Sequence, residues 1–206
     1  MKSAAAAETL SYTCPVEAHI SFQMLNTRQC AGCGHESGRT EKYLNLSLVS
    51  KDSVSQGLLE YLKAEQLEYK CDCGASESWQ RRSFSTLPNV LIVHLQRFEV
   101  TPFFTVKKTH EAVSLSTELL LSTNQSAEKI KYSLKSVVSH FGSGVKSGHY
   151  VCDGVYRNAS PENGNTCWAT YNDDLVQETT VSHVCQQRQT TAYLLFYQKQ
   201  RKQEGS

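Results

Sequence analysis

The sequence predicts an α+β protein built mainly on an antiparallel β-sheet. The second half of the chain contains several short β-prone segments separated by turn residues. A single segment, Ser53–Ala64, has the spacing of an amphipathic helix. Two close cysteine pairs lie in the first half, which is otherwise polar and rich in turns. The predicted strands follow one another with a single helix among them. This order favours an antiparallel sheet over alternating β-α-β units.

The helix prediction depends on its cap and on one apolar face. Ser53 precedes Gln56 by three residues, which is the spacing of an N-terminal cap. Val54, Leu58 and Leu62 then fall on one side of the helix. The segment is therefore expected to pack one face against the sheet.

Seven segments predict strands. Glu17–Arg28 and Tyr43–Leu48 flank the first cysteine pair, and Val90–Phe98, which follows Leu87-Pro88, is a candidate for a central strand. The others are Tyr132–His140, Tyr150–Asp153, Thr166–Tyr171 and Thr191–Tyr197. We expect a frayed polar tail over residues 198–206.

Composition excludes several kinds of partner. The 206 residues carry a net charge of +1, so no strong field would attract nucleic acid. No apolar run approaches the roughly 20 residues of a membrane helix, and no export signal begins the chain. Cysteines in close pairs without an export signal favour a reducing compartment, the cytoplasm or the nucleus. Nothing in the sequence indicates an oligomeric state.

The cysteine pairs predict a structural zinc site. Cys30 and Cys33 are separated by two residues, as in a zinc knuckle, and Cys71 and Cys73 would complete four sulfur ligands. The second pair has one intervening residue instead of two, which is expected to strain a tetrahedron. Two alternatives remain open: the second pair is vestigial, or His35 replaces a sulfur, although a turn role suits His35 better.

A histidine and an asparagine suggest a catalytic base and its orienter. His149 follows a glycine-rich segment and opens a strand, while Asn172 and Asp173 end another. Such an orienter would accept the Nδ1 proton and leave Nε2 to face a nucleophile. On their own these residues are more typical of a surface or turn histidine and a polar turn.

Five elements in order resemble the ubiquitin-specific proteases. Residues 132–142 and 147–150 resemble the histidine box of that family, and residues 87–98 its Leu-Pro to Arg-Phe strand. Residues 168–173 resemble its Trp-x-x-aromatic-Asn-Asp element, 192–197 its closing strand, and 68–71 the second half of its zinc ribbon. The resemblance covers nearly the whole chain.

The resemblance implies part of a papain-like cysteine protease shaped as a hand. It divides the chain into an N-terminal remnant (1–16), zinc-bearing fingers (17–82) and a palm (83–197) ahead of the tail. His149 would be the general base, Asn172 its orienter and Asp173 a supporting carboxylate. His140, the first histidine of the box, is expected to be structural.

The resemblance also implies ubiquitin and ubiquitinated proteins as partners. Residues 142–148 would form a loop that closes over the ubiquitin tail, with Gly142, Gly148 and Tyr150 lining the path of the substrate. Residues 100–110 would form a second substrate-facing loop. A local packing anchor is the alternative role for its Phe103-Phe104 pair.

The nucleophile of that family lies in a box reading Gly-Leu-x-Asn-x-Gly-Asn-Thr-Cys, which is not found in the chain. We take Cys14 as the nearest candidate, but expect no helix after it to activate the thiol. Cys152 should lie on the face of its strand opposite to His149. Cys167 and Cys185 are interpreted as buried thiols without a motif.

Two hypotheses follow. In the first, the chain is part of a cysteine-type deubiquitinase and is inactive alone, because upstream sequence supplies the cysteine. In the second, it is a non-catalytic, zinc-stapled module that binds ubiquitin or serves as a scaffold.

Overall fold

A computed structural model describes residues 13–49, 52–144, 147–156 and 167–200. Most of the predicted N-terminal remnant and residues 201–206 of the predicted tail lie outside these ranges. Within them, no helix has the length and apolar character needed to cross a membrane.

Short helices and many strands make up the described ranges. The helices are α1 Pro15–His19, α2 Val54–Leu62 and α3 Val181–Gln187. The strands are β1 Phe22–Cys30, β2 Glu36–Tyr43, β3 Leu46–Leu48, β4 Glu65–Glu68, β5 Glu77–Phe84, β6 Val90–Leu95, β7 Phe98–Val100, β8 Val106–Lys108, β9 Glu118–Thr123, β10 Ser126–Phe141, β11 His149–Tyr156, β12 Cys167–Asn172, β13 Leu175–Thr179 and β14 Ala192–Lys199.

Twelve of these strands form one sheet. Its main path runs β13-β12-β11-β10-β9-β5-β1-β2, and β14 joins β10 to β6. β3 extends the sheet beyond β6, β4 pairs with β5, and β7 and β8 form a separate hairpin. All pairs are antiparallel except β3 with β6 and β5 with β9. The predicted α+β class with a mainly antiparallel sheet is confirmed.

The sheet has two ends that matter for the site. Phe141 pairs with His149, and Ser139 pairs with Ala192, so these residues share one end. We call this the histidine end. At the other end of the same strands, Tyr132 pairs with Lys199.

The predicted helix is confirmed and its cap is present. The Ser53 hydroxyl accepts a hydrogen bond from the backbone N–H of Gln56 at 3.1 Å, and α2 ends at Leu62. Val54 and Leu58 are buried. The cap and the apolar face therefore explain this element from local sequence alone.

Other element predictions were wrong in identifiable ways. Glu17–Arg28 is not one strand: residues 15–19 form α1, since proline at the first helical position favours a helix start. Val90–Phe98 ends as β6 at Leu95. β2 was not expected, because its exposed, polar residues show no apolar alternation. α3 is also unpredicted, although Thr180 caps it by accepting from His183 N–H.

The core cluster joins strand side chains to Val54 and Leu58 of α2 and Val184 of α3. Its largest fully buried side chains include Tyr132, Tyr197, Phe22 and Phe84. The Tyr197 hydroxyl donates to the Ser116 carbonyl at 2.7 Å, so a buried phenol is satisfied. Burial raises the pKa of both tyrosines above the ordinary range.

Arg97 is buried and fixes the connection between β6 and β7. Only 3% of the residue is exposed, and its guanidinium donates to the carbonyls of Ala192, Gln189 and Glu111. No salt bridge joins its side chain to a carboxylate among the described residues. The guanidinium therefore serves three backbone carbonyls, of which that of Gln189 also accepts from another backbone group, the Val113 N–H.

We expect Arg97→Met to lower the free energy of unfolding by about 3 kcal/mol, because three backbone carbonyls lose a charged hydrogen-bond donor. Urea unfolding followed by circular dichroism measures the change. Arg39→Met, at an exposed finger position, is the control and should remain within about 0.5 kcal/mol of the parent. An Arg97 variant as stable as that control would contradict the argument.

Candidate active site and metal centre

The histidine end of the sheet brings His149 and Asn172 together. β11 begins at His149, immediately after Gly148, and β12 ends at Asn172. Since β11 and β12 are antiparallel, the start of one and the end of the other meet at the same sheet edge. Residues separated by 23 positions therefore become neighbours through strand pairing.

The contact between them is direct. His149 Nε2 lies 2.5 Å from Asn172 Oδ1. The sequence argument expected Nδ1 to face the orienter; in the structure Nε2 faces it instead, and Nδ1 makes no hydrogen bond within the described ranges. The amide oxygen accepts the Nε2 proton, which fixes both the tautomer and the ring orientation.

Asp173 is placed differently from its neighbour. It is exposed, has a φ of 53°, and occupies the turn between β12 and β13. Aspartate tolerates this left-handed conformation better than most residues. Among the described residues its carboxylate makes no hydrogen bond to His149, so its supporting role remains a prediction.

Two glycines close the loop ahead of His149. Gly142 has a φ of 124°, and a Cβ there would lie 2.9 Å from the Ser147 carbonyl oxygen. A Cβ on Gly148 would lie 2.0 Å from His140 Nε2. Both positions therefore require glycine for close backbone approach. Residues 145–146 of the predicted substrate loop lie outside the described residues.

His140 packs beneath this loop, as a structural residue would. It is 5% exposed, and its ring lies 4.8 Å from Tyr150 and 6.0 Å from Phe98. Its Nδ1 has no hydrogen-bond partner among the described residues. Burial, together with the Lys108 ammonium, lowers the pKa of His140. Tyr150 itself is 56% exposed, and its ring also lies 6.4 Å from that of Tyr193.

We expect stability to fall as the pH is lowered from 7.5 to 5.5. The unfolded chain takes up a proton at His140 below about pH 6.5, whereas the folded protein resists it, so protonation favours unfolding. Burial lowers the pKa of His94 in the same direction. Urea unfolding at both pH values should show a smaller loss for His140→Gln than for the parent. An equal loss in both proteins would refute this.

The cysteine positions leave His149 without a thiol partner. Cys14 is the N-cap of α1, so the expectation that no helix follows it was wrong. However, the Asn89 amide donates to Ala18 of α1, next to the start of β6. That start belongs to the sheet end opposite to His149. Cys14 therefore does not lie beside the candidate base.

Cys167 needs a second correction. It follows Gly164-Asn165-Thr166 and so completes the last four residues of the cysteine box, which the sequence interpretation overlooked. It begins β12 and pairs with Tyr156, seven residues along β11 from His149 or about 23 Å away. It opens a strand rather than a helix, so the string does not produce a nucleophile here.

The other two single cysteines are also unsuited. Cys152 lies on β11 with its Sγ 3.3 Å from Ser136 Oγ, turned away from His149 as expected. Cys185 is half-buried on α3, and burial raises the pKa of its thiol. Cys167 is likewise only half-buried, so the expectation of fully buried thiols was too strong.

The second predicted substrate loop is the β7–β8 hairpin. Phe103 and Phe104 at its tip are 86% and 92% exposed, and Phe104 has a φ of 57°. The alternative that this pair is a local packing anchor is therefore wrong. Two exposed phenylalanines at the tip of a hairpin are typical of a contact surface.

Four sulfurs converge at the tip of the fingers. Cys30 Sγ lies 3.6 Å from Cys73 Sγ, Cys33 Sγ lies 3.8 Å from Cys71 Sγ, and all four atoms are within 4.8 Å of one another. A tetrahedral zinc ion at about 2.3 Å from each sulfur spaces them about 3.8 Å apart. The contracted second pair therefore does not prevent convergence.

The surroundings of the sulfurs fit a cation. Backbone N–H groups of Cys33 and Gly32 lower the pKa of Cys30 to about 6. The N–H of Cys73 acts likewise on Cys71, but neighbouring sulfurs outweigh it and raise that pKa to about 11. Four sulfurs this close together repel one another when all are ionised, so simultaneous ionisation requires a cation between them. His35 is absent from the cluster.

Sequence reasoning missed a buried support under the site. Asp153 on β11 is fully buried; it accepts two hydrogen bonds from Arg188, at 2.7 and 3.1 Å, and one from Thr170. This pairing joins β11, β12 and the end of α3. An aspartate within a β-prone segment could have indicated a buried charge. Its partner Arg188, however, caps a helix that the sequence analysis did not predict.

An imidazole–carboxamide pair at the end of an antiparallel sheet, after a glycine-bounded loop, is the arrangement that the resemblance implied for a papain-like thiol hydrolase. The sequence model of the ubiquitin carboxyl-terminal hydrolase family matches residues 2–197. The chain belongs to this family.

Individual relatives agree with the family. A probable ubiquitin carboxyl-terminal hydrolase 8 of Schizosaccharomyces pombe is 29% identical over 187 residues, covering 90% of this chain and 39% of the relative. Ubiquitin hydrolase B of Dictyostelium discoideum is 39% identical over 155 residues, covering 71% of this chain and 31% of the relative. The chain thus spans well under half of these relatives.

Solved structures agree with the fold. A yeast SAGA DUB module matches with a TM-score of 0.80 and 26% identity, over 94% of this chain and 44% of the other. A SAGA DUB module containing Ubp8 and bound to monoubiquitin matches with a TM-score of 0.78 and 26% identity, over 95% and 44%. The fold expected from the resemblance, a ubiquitin-specific protease hand, is confirmed.

Proposed function

We propose that this chain supplies the fingers and palm of a cysteine-type deubiquitinase, with His149 as the general base. The observation that carries the proposal is the 2.5 Å contact between His149 Nε2 and Asn172 Oδ1. The family of the chain, and the monoubiquitin bound in a similar structure, support ubiquitin and ubiquitinated proteins as partners.

In the proposed mechanism the ring nitrogen that does not face Asn172, Nδ1, acts as the base. His149 Nδ1 removes the proton from a cysteine thiol, and the thiolate attacks the carbonyl carbon of the C-terminal glycine of ubiquitin. The resulting imidazolium donates its proton to the departing amine, which leaves a thioester. His149 then takes a proton from water, the hydroxide attacks the thioester, and the thiol is released with its proton.

We further propose that residues 1–206 alone do not turn over substrate. All eight cysteines are assigned to the metal cluster or to positions away from His149. A segment carrying the complete cysteine box must therefore supply the nucleophile. Gly142, Gly148 and Tyr150 would line the groove that receives the diglycine tail, and the exposed Phe103-Phe104 tip would contact ubiquitin beside it.

Complementation tests this function. Residues 1–206 are assayed with ubiquitin bearing a C-terminal amide-linked fluorophore, alone and fused to the cysteine-box segment of the Dictyostelium relative. We expect turnover only in the fusion. Turnover by the unfused chain would refute the proposed inactivity, and an inert fusion that still binds ubiquitin would refute the enzymatic role.

The non-catalytic module is a second candidate, favoured by the missing complete cysteine box. This candidate predicts that the chain binds ubiquitin saturably and that the fusion shows no turnover. Titration of residues 1–206 with ubiquitin, followed by isothermal calorimetry, measures this binding.

We propose that Cys30, Cys33, Cys71 and Cys73 hold a structural zinc ion. The converging sulfurs and their spacing support it. Zinc there would fix the finger ribbon and take no part in the reaction at His149.

We propose the cytoplasm or the nucleus as the location, where free thiols and thiolate-bound zinc persist. Imaging of a fluorescent fusion of the complete protein tests this. A secreted fusion would refute it.

A further inference from the structure

Lys108 is a buried lysine without a carboxylate partner in the described part of the chain. It ends β8 at the base of the exposed hairpin and is 4% exposed. Its ammonium donates to the carbonyl oxygens of His140 at 2.7 Å and Gly142 at 2.8 Å. Burial, together with the Arg97 guanidinium, lowers the pKa of this lysine. Burial disfavours the charged form of the side chain, so the two hydrogen bonds must offset an energetic cost.

The two carbonyls lie where β10 loses a neighbouring strand. β14 begins at Ala192, and the N–H of His140 already reaches Thr191, just before that strand. Because the N–H and C=O of a strand residue point to the same side, the His140 carbonyl also faces this side. No strand continues there, and the Lys108 ammonium occupies the position that a strand would fill.

The same stretch of β10 sets the position of His149. Phe141, between the two bonded carbonyls, pairs with His149 across β11. Beyond it the chain turns at Gly142, which leaves no room for a side chain. Any relaxation of the end of β10 therefore moves the strand start that carries the imidazole.

We propose that Lys108 is a positioning residue, which clamps the end of β10 and thereby holds His149 against Asn172. Lys108 also pairs with Phe98 in the hairpin, so the clamp links the Phe103-Phe104 tip to the candidate base. This inference rests on the proposed deubiquitinase function. Its physical basis is that a displacement of about 1 Å in a catalytic group can cost about 100-fold in rate.

The first arm of the test uses the chain alone. Hydrogen exchange of residues 139–151 is compared among the parent, Lys108→Met and the neighbouring exposed-site control Lys107→Met. We expect at least tenfold faster exchange in Lys108→Met, with unchanged exchange in β1 and β2. Parent-like exchange over residues 139–151 would overturn the proposal, whatever the enzyme does.

The second arm uses the fusion with the cysteine-box segment. Lys108→Met should lower kcat by 10- to 100-fold while KM changes less than threefold, and Lys108→Arg should recover most of kcat. Equal loss in the arginine and methionine variants would overturn the clamp. If Lys108→Met does not fold, Lys108→Gln, whose shorter, neutral amide is a weaker donor than the ammonium, must exchange faster than both the parent and the arginine variant and have a lower kcat than both.

The two arms separate the failures. A parent fusion that binds ubiquitin but is inert would refute the deubiquitinase function. The clamp would then be tested by hydrogen exchange alone. An active parent fusion with no kcat change in Lys108→Met would refute the clamp alone.

Discussion

His149→Ala should abolish turnover in the fusion that carries the cysteine box. We expect kcat to fall by about 10⁴-fold or more, because the thiol loses the base that removes its proton and the leaving amine loses its acid. Binding of ubiquitin should change little, since the imidazole contributes only a small part of the contact surface. Steady-state hydrolysis of the ubiquitin–fluorophore conjugate measures the rates.

Two further variants sharpen this result. Asn172→Ala should lose less, about 100-fold, because the imidazole remains but its tautomer and orientation are no longer fixed. His183→Ala, an exposed histidine on α3, is the matched control and should retain full activity. Turnover by His149→Ala within tenfold of the parent would exclude His149 as the base and, with it, the assignment of Asn172.

Removal of the proposed zinc ion should unfold the fingers. We expect one zinc ion per chain by elemental analysis and a Tm lower by about 10 °C or more in Cys71→Ser or after chelation. β2 is a polar strand without a buried residue, and little apolar area holds the ribbon around the cluster. Apparent zinc affinities of about 10–16 kcal/mol in zinc-finger peptides show how much folding energy four such ligands can supply.

Cys14→Ser is the control for this effect, because its half-exposed thiol lies outside the cluster. It should keep its zinc and its Tm. If the parent protein contains no zinc, or if chelation leaves its Tm unchanged, the second cysteine pair is vestigial and the zinc proposal is wrong. Retained ubiquitin hydrolysis in a zinc-free fusion would show that the reaction does not require the metal.

Local sequence predicted the elements whose determinants are local. α2 has its cap and apolar face within twelve residues, and the palm strands carry β-prone runs bounded by turns. β2 and α3 were missed because one is polar on both faces and the other is short. Proline at the start of α1 was a local signal that the strand interpretation overlooked.

The site divides in the same way. The order of motifs pointed to His149 and Asn172, but the ring atom that meets the carboxamide depends on how β11 and β12 pair. The string ending at Cys167 resembles a nucleophile by letters alone, and strand register places it about 23 Å from the base. Proximity in space, not spacing along the chain, decides which thiol can react.

By itself the sequence determined the family resemblance, the two cysteine pairs and the identity of the candidate base, because side-chain chemistry and motif order are written in the chain. Only the tertiary structure decided that four sulfurs converge despite a contracted spacing, that Nε2 is the ring nitrogen facing Asn172, and that a buried Lys108 donates to the carbonyls of His140 and Gly142. Each of these depends on contacts between strands that are distant in sequence. Such contacts are fixed by packing and backbone pairing, which no local pattern specifies.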